Sequence, residues 1–296
     1  MADFSSFRAG GTAEAFVETE DPVVLRPLLR WLTEENIAWC ALGGGSNILF
    51  ASGTHEGVVV HLKGGRKDLC RRRCGDDDTA DRCLVDAPAG MKLGRFLAWC
   101  ARQGLGGLED MAGIPGTVGG AVCMNAGAFG CCMGDRLAAV RCLDAWGKTV
   151  DLPASALSFQ YRHTVFPPEY REKCLIIGAT LRLEASEEGS IRERMRTIVA
   201  QRRAKQPQGL PCAGSFFKNP PGDFAGRLIE VVGLKGYSLG QAMVSPKHGN
   251  IIVNQGGASP EDIFRLMRIV QDRVLERFGI LLEPEVRLFG LQAGGI

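Results

Sequence analysis

The chain has 296 residues, 45% of them hydrophobic and 23% charged, which excludes a disordered chain and provides for two or three domains with cores of their own. Its 35 basic and 33 acidic residues are interspersed and leave a net charge of +2, so no general field is available to hold nucleic acid or an anionic membrane surface. The opening MADFSSFRAGG lacks a basic region followed by an apolar run, and no stretch approaches the roughly 18 apolar residues of a membrane span, so a cytoplasmic protein is expected.

Residues 21–36 predict a helix, with Asp21 as its cap, Pro22 at the first position and Val24, Leu25, Leu28, Leu29 and Leu32 at helical spacing; Pro27 interrupts the pattern. Residues 37–50, IAWCALGGGSNILF, read as strand, glycine loop and strand, and 58–62 as a further strand. Between 63 and 86 basic and acidic runs alternate closely, as in a solvated excursion at a domain junction. The cysteines number eleven, an odd count, and Cys40, Cys100 and Cys123 sit in apolar segments as reduced small hydrophobes. Cys70, Cys74 and Cys83 are the only metal-like group, but their spacing matches no common zinc pattern, so no metal is expected.

Residues 91–104 predict an amphipathic helix stopped by Gly104. From 104 to 130 glycine is denser than a helix or strand tolerates, since each one costs about 0.5–1 kcal/mol relative to alanine inside an element. Residues 138–147, 148–152 and 173–183 read as strands and 190–205 as a helix. The clearest helix starts at a capping box of Ser259 and Asp262 around Pro260, ends at Gly279, and carries Ile263, Leu266, Met267, Val270, Val274 and Phe278 as its core stripe.

Three glycine stretches expose main chain to a ligand or merely turn: GGGSN at 43–47, GIPGTVGGA at 113–121 and NAGAFG at 125–130. None is a Walker loop or a G-x-G-x-x-G fingerprint, and their separation suggests a long ligand with a central pyrophosphate held from two sides. In the helix 190–205, the stripe Ile191, Met195 and Ile198 continues into Arg202 and Lys205, which either emerge into solvent or meet an anion. In GSFFKNP, Ser215 is open to three roles: nucleophile, turn residue or proton donor. The chain has four histidines and no G-x-S-x-G elbow, so nothing supports a triad, whereas two phenylalanines and Lys218 suit a donor in a dry pocket. Arg162 in FQYRHT suits a carboxylate contact or a strand-end salt bridge. Glu283, Glu285 and Arg287 fall on one face if 280–290 is a strand.

Together FRAGG, LGGGSNILF, GLEDMAGIPGTVGGAVCMNAGAFG, FQYRHT, RRAKQP, GSFFKNP, AGRLIEVVGLKG, VSPKHGNIIVN and LEPEVRLFG resemble, in family order from about residue 7 to 290, the UDP-N-acetylenolpyruvoylglucosamine reductases (UDP-N-acetylmuramate dehydrogenases) of peptidoglycan synthesis. The resemblance implies an α+β fold. A two-part FAD-binding domain of the vanillyl-alcohol-oxidase (PCMH) type would comprise residues 1–64 with 281–296, and 65–204; a C-terminal α/β substrate-binding domain would comprise 205–280.

It further implies that Gly43, Gly44, Gly45, Ser46 and Asn47, with Ile114, Pro115, Gly116, Thr117, Gly119 and Gly120, hold the FAD pyrophosphate, and that Arg202 reaches the flavin. NADPH would reduce the flavin and leave. UDP-N-acetylglucosamine enolpyruvate would then accept hydride at C3 and a proton from Ser215 at C2. Arg162 would neutralise the substrate carboxylate, and Glu285, protonated or sharing a proton, would polarise the enolic form. Lys205, Asn219, His248, Tyr161 and Arg287 would contact substrate. With only Tyr161, Tyr170 and Tyr237 as tyrosines, the chain is similar to the shorter members that lack a tyrosine-bearing loop. The resemblance implies a small-molecule substrate; from the interspersed charges and the lack of a membrane span no nucleic-acid or membrane partner is expected, and the chain is expected to act as a monomer. An FAD oxidase of alcohols or sugars would use oxygen without needing Ser215, Arg162 and Glu285; a non-catalytic nucleotide-binding module would keep the loops and tolerate loss of the acid.

Overall fold

The computed structural model describes residues 1–64, 70–73, 82–171 and 174–291, and the chain forms two units with separate cores. One comprises residues 15–44 and 57–201, the other 1–14, 45–56 and 202–296.

In the first unit, the alternating segments build an antiparallel sheet in the order Thr149–Pro153, Leu137–Asp144, Cys174–Ala185, Arg82–Pro88 and Cys70–Arg73. Period-two alternation sends Val85, Val140, Leu181 and Leu183 to one face, where Leu93, Phe96, Leu97 and Cys100 of the helix Leu93–Arg102 join them, all buried. Gly104, in the left-handed region at φ 62, follows that helix as expected. A smaller core gathers Leu25, Leu29 and Leu32 of the helix Leu25–Glu34 against Val58 and Val60, whose strand pairs in parallel with Trp39–Leu42. Pro27 is accommodated because a 3-10 turn, Pro22–Val24, takes the Asp21 cap. Helix Leu25–Glu34 then starts late enough to put the proline in its first turn, where no N–H is needed.

Two glycine stretches proved more regular than their composition suggests. Val118–Cys123 is a short helix capped by Thr117, whose Oγ1 accepts from Gly120 N–H. Glycine is required within it because a methyl group at Gly119 would lie 2.7 Å from the Ala89 side chain. In NAGAFG, Gly127–Ala128 and Cys131–Cys132 form a hairpin. Burial pushes the Cys40 thiol up to about 11 and the Cys100 thiol up to about 12, so both are inert at neutral pH. Cys74 and the side chain of Cys70 lie outside the described residues; Cys83 is buried in the core.

In the second unit, Arg287–Phe289 pairs in parallel with Ile48–Phe50, and Ser238–Leu239, Ala242–Val244 and Ile252–Asn254 form an antiparallel sheet. The helix Pro260–Phe278 covers this unit's core with Ile263, Leu266, Met267, Val270 and Val274, each worth about 1.5–3 kcal/mol of hydrophobic stabilisation when fully buried. Its capping box is complete: Asp262 N–H donates to Ser259 Oγ at 3.0 Å, and Gly279 ends the helix at φ 69. The expected strand over 280–290 shrinks to Arg287–Phe289, because Pro284 cannot donate to a ladder and makes only an isolated bridge to Phe217. Among the described residues, no helix is long and apolar enough to cross a membrane.

Ser259→Ala removes the acceptor for Asp262 N–H and should lower stability by about 1 kcal/mol, read from the urea midpoint at unchanged slope.

Candidate active site

The first unit holds two groups of the candidate residues. Strand Trp39–Leu42 ends in Gly43 and Gly44, and a methyl group on Gly44 would lie 2.6 Å from the Gly116 Cα, one on Gly43 2.8 Å from Thr117 Oγ1. Two loops distant in sequence therefore bring bare main chain to one place, as a pyrophosphate needs when it collects several N–H donors. Some amides of the second loop are already engaged: Val118 and Gly119 N–H donate to the Met91 and Ala89 carbonyls at 2.9 and 2.8 Å. Ile114 and Gly116 are half-buried and Pro115 exposed on the approach to that helix, with Gly116 at φ 113 and Gly120 half-buried within it.

Arg162 occupies the turn between strands Ser158–Gln160 and His163–Val165, not a strand, and its φ of 60 is unusual for a residue with a side chain. It is held there by donating from Nη1 to the Gly127 carbonyl at 3.0 Å, with its guanidinium 4.9 Å from the centre of the Tyr161 ring. Tyr161 itself is exposed. Asn125, which sequence reasoning did not single out, ties the hairpin that carries Arg162 to the short helix Met133–Arg136: its Nδ2 donates to the Gln160 carbonyl and its Oδ1 accepts from Gly134 N–H.

In the second unit, Ser215 is half-buried between Gly214, at φ 73, and the fully buried Phe216 and Phe217. The Phe216 carbonyl accepts from Glu285 N–H at 2.8 Å, so the Ser215 and Glu285 motifs are brought side by side. Asn47 extends the group: its Nδ2 donates to the Glu285 carbonyl at 3.0 Å, and its own carbonyl accepts from Arg287 N–H at 3.0 Å. Glu285 and Asn47 are half-buried and Arg287 is exposed. Gly45, buried at φ 61, packs on the Phe4 carbonyl, and Ser46 is half-buried beside it. Lys218 forms an ion pair with Glu283, so its charge is answered within the second unit.

Asn219 is exposed and accepts from Ala225 N–H at 3.1 Å, which satisfies the first amide of the helix Ala225–Val231 and leaves the NH2 as the half of the side chain that can donate to a ligand. His248 Nδ1 accepts from Asn250 N–H at 3.2 Å, which places the ring proton on Nε2. Burial foremost, and then the Lys235 charge, hold its pKa below the ordinary value. Arg202 is half-buried and Lys205 exposed in the last turn of the helix Glu188–Lys205. Ile191 and Ile198 are buried as the stripe predicts.

The class follows from the first unit's loops and the mixed fold. Residues 13–153 match the family described as FAD binding domain, so this is an α+β flavoprotein that takes FAD. Residues 206–289 match UDP-N-acetylenolpyruvoylglucosamine reductase, C-terminal domain. The UDP-N-acetylenolpyruvoylglucosamine reductase of Alkalilimnicola ehrlichii is 41% identical over 292 residues, covering 98% of this chain and 93% of the relative. That of Geobacter sulfurreducens is 41% identical over 290 residues, covering 98% and 92%. A crystal structure of the Thermus caldophilus reductase aligns at a TM-score of 0.77 with 35% identity, over 97% of this chain and 96% of that one. The chain belongs to the UDP-N-acetylenolpyruvoylglucosamine reductase family.

Gly44→Ala forces the Gly44 and Gly116 loops apart and should weaken FAD binding by at least about tenfold, or about 1.4 kcal/mol, seen as lost visible absorbance of the purified protein. The unfolded chain protonates His248 near 6.5 while the folded imidazole resists, so acidification through that value costs stability. His248→Gln should therefore lose less stability than wild type between about pH 7.5 and pH 5.5 in urea titrations.

Proposed function

We propose that the protein uses NADPH to reduce UDP-N-acetylglucosamine enolpyruvate to UDP-N-acetylmuramate for peptidoglycan precursors. The observation that carries this reading is the 2.8 Å hydrogen bond from Glu285 N–H to the Phe216 carbonyl, which sets two of the three expected catalytic residues on adjoining main chain. The full-length relationship to named reductases supports the choice of substrate.

Bound FAD supplies two-electron transfer from NADPH to the enolpyruvyl double bond. As the double bond is reduced, negative charge moves onto the substrate carboxylate, and the chain must stabilise it and deliver one proton. Ser215 Oγ gives that proton to C2. Arg162, kept in its turn by the Gly127 carbonyl, neutralises the carboxylate. Glu285, carrying or sharing a proton, hydrogen-bonds the enolic oxygen, because a bare carboxylate beside another would oppose the reaction.

Gly43, Gly44, Gly45, Ser46, Asn47, Gly116 and Thr117 hold the FAD pyrophosphate, with Ile114, Pro115, Gly119 and Gly120 shaping the second loop and Arg202 reaching the flavin. Lys205, Asn219, His248, Tyr161 and Arg287 contact the substrate, with His248 acting as a neutral Nε2–H donor. The same reading divides the chain into residues 1–64 with 281–296, 65–204, and 205–280, and places a monomer in the cytoplasm.

Stopped-flow separation of the half-reactions tests the assignment. Ser215→Ala should leave reduction by NADPH within about twofold and slow reoxidation by the enolpyruvyl substrate by about 10²-fold or more. Equal damage to both steps removes Ser215 from the role of acid.

A further inference from the structure

Ser215 is followed by two residues whose main-chain polar groups are all engaged. Phe216 N–H donates to the Asn250 carbonyl at 2.8 Å. Phe217 N–H donates to Asn250 Oδ1 at 2.9 Å, and the Phe217 carbonyl accepts from Asn250 Nδ2 at 2.8 Å. The remaining group, the Phe216 carbonyl, accepts from Glu285 N–H. Asn250 thus supplies three of four partners, and it is itself 3% exposed with its N–H bonded to His248.

Asparagine suits this position because its carboxamide presents one acceptor and one donor with the spacing of a peptide group, replacing a neighbouring strand where none runs. An aliphatic side chain would fill the space but leave the Phe217 N–H and carbonyl buried and unbonded. On the other side of Ser215 the main chain is held at Cys212, which bridges Val253, and Gly214, between Cys212 and the serine, has no side chain to pack. The bonds of Phe216 and Phe217 hold the residues that adjoin the serine directly.

We infer that Asn250 is a positioning residue for Ser215 and Glu285, acting through the Phe216–Phe217 main chain and not on the substrate. The inference rests on the proton-donor role proposed for Ser215. Loss of the carboxamide would let both groups drift together, and a displacement of about 1 Å is enough to slow a positioned proton transfer by about 10²-fold.

The test is a double-mutant cycle on full-length, FAD-loaded protein, with both half-reactions followed by stopped flow and folding checked by thermal unfolding. Asn250→Ala should slow reoxidation by the enolpyruvyl substrate about tenfold or more while NADPH reduction stays within about threefold. In the Ser215→Ala background the same substitution should add clearly less than it does alone, since one of the two groups it positions is gone and only the Glu285 share is left. Asn250→Asp sets an oxygen against the Phe217 carbonyl in place of the donor and should slow reoxidation at least as much as Asn250→Ala, with the same selectivity. Asn250→Gln keeps both acceptor and donor on a longer stem; it should give a smaller loss with the same selectivity, and it carries the comparison where Asn250→Ala does not fold. Equal slowing of both half-reactions, or the full loss persisting without Ser215, would overturn the inference. If Ser215→Ala alone leaves reoxidation unchanged, the donor assignment fails first, and that result is legible without reference to residue 250.

Discussion

Main chain brought against main chain is the constraint from which most of the site follows. A methyl group at Gly44 would come within 2.6 Å of the Gly116 Cα, so bare backbone is required where the two loops meet. That approach costs the conformational entropy of several glycines, which a well-anchored surround must offset. The anchoring is visible: Gly119 N–H and Val118 N–H are tied to the Ala89 and Met91 carbonyls, and Thr117 caps the short helix. The loop is soft in composition and stiff in place, which is what a binding cradle for an anion requires.

The second unit solves a related problem by other means. Around Ser215 the described residues form no regular sheet: Phe217 and Pro284 make an isolated bridge, and the strand proper begins only at Arg287. Side-chain amides take over the role of the absent ladder. Asn250 serves the N–H and carbonyl of Phe217, Asn47 the Glu285 carbonyl, Asn254 the Phe7 carbonyl, and Gln271 the Leu282 carbonyl at 2.7 Å. Asn250, Asn254 and Gln271 are buried, where an unbonded amide would cost a few kcal/mol, so each holds irregular backbone to a single geometry.

What could be read without coordinates divides along the same line. Periodicity and caps located the helices at 93–102, 188–205 and 260–278 closely, because apolar spacing and end signals are local properties. The motif residues Ser215, Glu285 and Arg162 were legible through resemblance, but their settings were not. Arg162 sits in a left-handed turn fixed by the Gly127 carbonyl, a partner 35 residues away in the chain. The helical state of Val118–Cys123 was hidden because glycine's local cost is overridden by packing against Ala89. The structural amides left almost no local signal. An asparagine in KHGN looks like a turn residue until its two bonds to Phe217 are seen.

These amides bear on the chemistry proposed for the site. A serine hydroxyl is a weak acid, and what a protein can most readily supply to it is position. A carboxylic acid in the same place would donate more easily. It would also ionise near neutral pH beside a substrate carboxylate and add repulsion as charge develops on the enolate. A neutral hydroxyl avoids that repulsion but makes the rate depend on alignment, and alignment here rests on backbone bonds made by residues that carry no charge. The charged groups nearest in sequence are engaged elsewhere, with Lys218 paired to Glu283. The proton donor proposed here is thus held by neutral hydrogen bonds that neither titrate near neutral pH nor weaken as salt rises.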